Sequence, residues 1–314
     1  MNYNLSPGEH DKISYSVENP RVAPLAAAFY GLLIVLGLNT IIGAVLHLLI
    51  FGFKTQDFSS APMRMLQITN QLWFFLLPGL VLSLYIYKDV TKVIRFKLPA
   101  LWELAAFGAG MLLLIPLLGN FSVLQNYLIS NLAEKNAIVR KILDSLIYLD
   151  RMTQDAYSSL LRPENFIDKI LIICVVAITP AICEEVFFRG FLQKSFELRF
   201  TKFWGAFITA FFFALLHMNP FGTIPLFILG LYFGYAVYRT NSIFVSMFLH
   251  FLNNFIATIV VFFTPAGGKD SDVFAPVSLL EFRTSTMTVL SLTVLFGLVL
   301  YLINYYYSKQ KFLS

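Results

Sequence analysis

The chain has 314 residues, of which 58% are hydrophobic and 13% charged, with 33 phenylalanines and a mean hydropathy of +0.72. A soluble domain carries about 25% charged residues, so this composition excludes an ordinary water-soluble globule and points to the bilayer. The formal charge of +5 does not mark a nucleic-acid partner, because the sequence holds neither a basic stripe nor a Gly-rich phosphate loop; in a membrane chain its distribution among the loops carries the information.

Residues 1–22 are polar and are expected to form a cytoplasmic N-terminal segment. The first apolar run, 23–53, is far longer than a signal-peptide core of about 7–15 residues, so it reads as a span. A crossing helix needs about 20 apolar residues. Runs at 72–87 and 101–118 complete an N-terminal set of transmembrane helices over 23–119. The stretch 120–166 is too charged to cross. Within it Ile138, Ile142, Leu146 and Leu149 recur at helical spacing among Arg140, Lys141, Asp144 and Asp150, which predicts an amphipathic extramembrane helix on the bundle or the interface, or a lid over a substrate path. Further spans are expected at 167–188, 204–218, 222–238 and 243–263, forming a helical core over 167–264. A loop and a last span at 287–307 complete the segment 265–314. The fold class is therefore all-α, a polytopic transmembrane helix bundle of about eight spans.

Basic residues cluster in the segments 88–97 and 189–202, at Arg239, and at Lys309 and Lys311, all of which an eight-span count puts on one side. The intervening loops are balanced, as in Lys54 with Asp57 or Lys269 with Asp270 and Asp272. The positive-inside rule then predicts a multi-pass protein of the plasma (inner) membrane with both termini in the cytoplasm. Gly230 and Gly234 form a small-xxx-small pair suited to close helix packing. Cys174 and Cys183 lack the close pairing of a thiolate zinc site and read as small buried hydrophobes.

Ionisable residues inside apolar spans are costly, by about 2.5–3.5 kcal/mol each on insertion scales, and usually line a functional cavity. Here they are Glu184, Glu185 and Arg189 in the fourth span, His217 at the end of the fifth, and His250 with Asn253 and Asn254 in the seventh. His47 and Glu103 stand apart. Glu185 and Arg189 are four apart and can pair on one helix face, which leaves Glu184, about 100° away, for chemistry. Pro180 removes a backbone donor four residues before Glu184 and is expected to loosen the helix there. His250 and Asn254 share one face. Glu184 and His250 are expected about 13 Å from the cytoplasmic ends of their helices, so the three helices can bring these groups together.

These residues fall into three motifs: EExxxR at Glu184-Glu185-Val186-Phe187-Phe188-Arg189, followed by Gly190; FxxxH at Phe213 to His217; and HxxxN at His250 to Asn254. In this order, each within an apolar helix, they resemble the CPBP family, the CAAX-protease and bacteriocin-processing or Abi family with its Rce1-like prenyl-protein endopeptidases. The resemblance covers roughly residues 165–260 and implies an intramembrane endopeptidase. It implies Glu184 as general base, polarising a water together with His217; His250 and Asn254 steadying the oxyanion; and Glu185 and Arg189 holding the site. Amide hydrolysis needs such an activated water and such donors.

No cofactor is expected to be required. Zn²⁺ stays open as an alternative, with Glu184, His217 and His250 as ligands, although an HExxH helix is absent. Expected partners are the lipid bilayer and a peptide or protein substrate, lipidated or not, reaching the site from the cytoplasm or laterally from lipid. Two readings from other classes remain: a proton or cation transporter, for which polar residues in both halves would be expected, and a non-catalytic membrane immunity or scaffold protein.

Overall fold

Backbone N–H and C=O groups in hydrocarbon must be satisfied within the segment, so long apolar runs fold as helices. In the computed structural model, which describes residues 15–51, 60–161, 163–263 and 277–311, every regular element of the described residues is helical. The segment 1–14 and the loop charges Lys54, Asp57, Lys269, Asp270 and Asp272 lie outside them. Six helices are long and apolar enough to cross a membrane: α1 (Pro24–Val45), α2 (Ala61–Tyr87), α4 (Leu101–Lys135), α6 (Phe166–Glu197), α9 (Ile243–Phe263) and α10 (Leu279–Lys309). The short α3 (Val90–Ile94) joins α2 to α4, and α5 (Ala137–Leu160) joins α4 to α6. Residues expected to form the fifth and sixth spans make a shorter helical hairpin, α7 (Lys202–Leu216) and α8 (Thr223–Thr240). With about 1.5 Å rise per residue, α7 spans only about 22 Å, so this hairpin reaches its turn inside the depth covered by its long neighbours.

Small residues let that hairpin close. A Cβ on Gly230 would stand 3.2 Å from the Ala210 Cα, and one on Gly234 would stand 2.9 Å from the Ala206 Cβ, so α8 lies against α7 with almost no side chain between them. Gly79 brings α2 equally close to α6, where an added Cβ would be 3.2 Å from the Phe187 Cα. Two apolar clusters follow. One joins α1 to the aromatic run of α6 through Ala28, Leu32, Phe187, Phe188, Phe191 and Phe213; the other joins α4, α8, α9 and α10 through Phe107, Met111, Phe233, Leu249 and Ile303. Large apolar side chains on the outside of the bundle, such as Leu49, Trp73 and Val294, need no protein partner where the solvent is lipid.

Helix α4 extends well past residue 118, where the apolar run ends. Along its polar continuation Asn120, Ser122 and Asn131 bond back to carbonyls four residues earlier, and Gln125 ties the helix to the α7–α8 turn by donating to the Phe221 carbonyl at 2.9 Å. Helix α5 turns Leu143 and Leu146 inward against the cluster of Ala133 and Phe221 and leaves Ile138, Ile142 and Leu149 more than half exposed, so its apolar stripe is only partly covered by the bundle.

Both ends of the bundle are tied. At one, Arg95 pairs with Glu197, Ser242 donates to the Lys97 carbonyl, and Tyr307 donates to Glu103, whose other oxygen accepts from the Ala100 N–H at 2.8 Å. Glu103, apart from the ionisable group in sequence, is thus a fastener between α4 and α10. At the other end Arg64 pairs with Asp168 at 3.1 Å and joins α2 to α6.

Candidate active site

Helix α6 is not uniformly α-helical. Two π-helical stretches, Cys174–Ile178 and Val186–Leu192, flank the α-helical turns Thr179–Glu185 that carry the glutamates. Such insertions often accompany functional sites because they re-aim side chains and free backbone groups. Pro180 explains the first: it has no N–H for the Val176 carbonyl four residues before it. That carbonyl instead accepts from Asn254 Nδ2 on α9 at 3.0 Å.

Glu184 and Glu185 diverge from this turn into different surroundings. Glu185 is completely buried, and its Oε1 accepts from Arg189 Nη1 at 3.0 Å and from His250 Nδ1 at 2.9 Å. Arg189, also completely buried, donates to the Gly230 carbonyl at 3.3 Å and lies 4.3 Å from the centre of the Phe213 ring. A charge pair this deep is tolerable only when both members find further partners, and each does. Because Glu185 accepts from Nδ1, the Nε2 edge of His250 is left for the cavity.

Glu184 faces that cavity. Its Oε1 accepts from Gln71 Nε2 at 2.8 Å, while Oε2 has no hydrogen-bond partner among the described residues. His217 Nε2 stands 3.9 Å from Oε2, beyond direct hydrogen bonding. His217 Nδ1 lies 2.7 Å from the Phe213 carbonyl, an acceptor, so Nδ1 carries a hydrogen and Nε2 is the ring atom turned towards Glu184. The ring is held at the end of α7 by a tight turn in which Met218 takes the left-handed conformation at φ 49° and Asn219 Oδ1 accepts the Gly222 N–H at 2.7 Å.

The structure thus brings Glu184, His217, His250 and Asn254 around one cavity of about 570 Å³ and sets Glu185 and Arg189 behind it. The sequence reading missed Gln67, Ser122, Asp150 and Asn219 around the same cavity, and Gln71, which holds Glu184 from behind it. Gln67 and Gln71 are four apart on α2, a spacing that would have marked a polar face had the helix been started at residue 61 instead of 72. Asn254 is less free than a dedicated oxyanion donor: one amide N–H goes to Val176, and its Oδ1 accepts from Asn253 Nδ2 at 3.1 Å. Among the described residues no three His, Cys, Asp or Glu side chains are grouped closely enough to hold a metal ion, and no step below is routed through zinc. Free thiols at Cys174 and Cys183 take no part in the cavity.

Residues 166–256 match the family model for Rce1-like proteins, described as type II CAAX prenyl endopeptidase. The matched stretch contains all three motifs, and with them Glu184, Glu185, Arg189, His217, His250 and Asn254. No curated protein and no solved structure matches the chain. The family match and the six apolar helices together mark an integral membrane protein similar to CAAX-protease-like endopeptidases.

Proposed function

We propose that this protein is an intramembrane endopeptidase that hydrolyses a peptide bond with a water activated jointly by Glu184 and His217. One observation carries the reading: two acceptors, Glu184 Oε2 and His217 Nε2, point at the same spot 3.9 Å apart on the wall of a polar cavity inside an apolar bundle. A water donating one O–H to each acceptor turns its own lone pair outward. As that lone pair attacks the scissile carbonyl carbon, Glu184 takes the proton, and it returns the proton to the departing amine when the C–N bond breaks. Gln71 keeps the carboxylate from rotating by holding its other oxygen. The His250 ring, held by Glu185 through Nδ1, and the Asn254 amide line the same cavity and are assigned to steady the oxyanion.

The test is cleavage of quenched peptides, prenylated and unprenylated, by the detergent-purified chain. Glu184→Gln should lower turnover by about 10²–10⁴, and a chelator should leave wild-type turnover intact. Chelator inhibition reversed by Zn²⁺ would replace the glutamate-water mechanism with a metal-dependent one. A folded wild-type chain that cleaves neither peptide class would overturn the peptidase reading and favour a non-catalytic membrane protein.

A further inference from the structure

The two ends of the bundle differ in charge and in what they open onto. At the end that holds the start of α1 and the finish of α10, the short connections 88–100, 198–202 and 239–242 carry seven Lys or Arg residues and, as their one acid, Asp89. At the other end, residues 134–169 interleave basic and acidic residues along α5 and its flanks. A bias of Lys and Arg in short loops marks the cytoplasmic side.

The cavity belongs to the second end. Ser122 on the extension of α4, Gln67 on the first half of α2, Asn219 in the α7–α8 turn and Ala257 on the second half of α9 all line it, and Asp150 of α5 stands at its rim. Towards the basic end there is no passage along α6. Residues 183–193 are all buried, and beyond them Arg95 and Gln193 both bond Glu197. From Glu184 to Glu197 that is about 20 Å of packed helix.

We propose that the active-site cavity opens to the side of the membrane opposite the cytoplasm, beside α5, so that its substrate is a segment of an exported or membrane-anchored polypeptide rather than the end of a cytosolic chain. Of the two routes expected from sequence, from the cytoplasm or laterally from lipid, this replaces the first and leaves the second. The nature of the substrate rests on the endopeptidase reading above; the sidedness of the cavity does not.

Cysteine labelling tests it in intact cells making the full chain with Cys174→Ala and Cys183→Ala. Ser122→Cys changes one atom in the cavity wall, Ala257→Cys is a second probe on another helix, and Lys92→Cys marks the exposed basic end, where that side chain is 69% exposed. A membrane-impermeant maleimide should label both cavity cysteines in intact cells and reach Lys92→Cys only after the membrane is opened. Failure of the cavity cysteines to react in intact cells, or reaction of Lys92→Cys there, overturns the proposal. Labelling requires no turnover, so this failure is distinguishable from failure of the peptidase reading, which is read from peptide cleavage.

Discussion

Asn254 on α9 donates its amide N–H to the carbonyl of Val176 on α6, 3.0 Å away, the group that Pro180 deprives of its α-helical donor. A side chain from one helix thereby completes the backbone of another, and the turn it completes leads directly into Glu184 and Glu185. If this is how the bond acts, Asn254 and Pro180 are energetically coupled. Asn254→Ala should destabilise the bundle by about 1 kcal/mol, in the range of interhelical hydrogen bonds in membranes. Pro180→Ala restores an N–H to Val176, so the same Asn254→Ala change should have a smaller effect in that background. A double-mutant cycle by unfolding in detergent reads the coupling, and additive effects would refute it.

Arg189 is the residue whose loss should be felt most in folding. It is completely buried, ion-paired with Glu185 and stacked near Phe213. Arg189→Met would leave the Glu185 carboxylate buried with His250 as its remaining partner, a change of about 3–5 kcal/mol for a broken buried pair. Arg189→Lys keeps the charge but lacks the planar fork that reaches both Glu185 and the Gly230 carbonyl, so it should recover only part of the stability. Thermal unfolding in detergent should rank wild type above Arg189→Lys and that above Arg189→Met, with Glu184→Gln near wild type.

Glu184, Glu185, Arg189, His217 and His250 were legible in the sequence because a charge or imidazole in an apolar run has few innocent explanations. Gln71 was not, since a neutral amide at the edge of a hydropathy peak reads as the end of a span; only the continuation of α2 to Ala61 makes it a mid-helix residue facing Glu184. Hydropathy likewise ended the third span at 118 while the helix runs to Lys135, because packing of Ile129 and Ala133 against Leu143 and Phe221 holds it after the lipid-facing apolar run stops. On α5 periodicity identified the helix and one of its packed residues, Leu146, but not Leu143, which lies outside the stripe and is buried with Ala133 and Phe221. Which end of the bundle the cavity opens towards depends on residues from α2, α4, α5, α7 and α9 together, and no single segment encodes it.

Acid should loosen the connection between α2 and α4 through Asp89. Its Oδ1 accepts from the Lys92 N–H at 3.0 Å and from the Thr91 hydroxyl at 2.8 Å, capping α3, and these bonds hold the carboxyl below the usual carboxylate range. A carboxyl that binds its proton more weakly when folded contributes stability above its unfolded pKa and loses it as pH falls through the folded one. Amide exchange in residues 90–94 should therefore accelerate below about pH 4. Asp89→Asn caps without titrating and should flatten that acid limb, whereas Asp89→Ala should raise exchange at every pH; an unchanged limb in Asp89→Asn would assign the effect to another group.

Gln71 gives the sharpest separation of positioning from binding. Its side chain touches Glu184 Oε1, and the other carboxylate oxygen, unpartnered, is the one 3.9 Å from His217 Nε2. In Gln71→Leu the carboxylate loses a hydrogen bond to a charged acceptor, worth about 1.5–3 kcal/mol, and can rotate away from His217. If that difference is expressed in the transition state, kcat should fall by roughly 10- to 150-fold while KM stays near wild type. Leucine is at home in a buried helix, so the melting temperature should change little. Gln71→Asn, one methylene short of Glu184, should behave like Gln71→Leu. A rise in KM at constant kcat would instead put Gln71 in contact with substrate, and unchanged kinetics would show that Glu184 keeps its orientation without it.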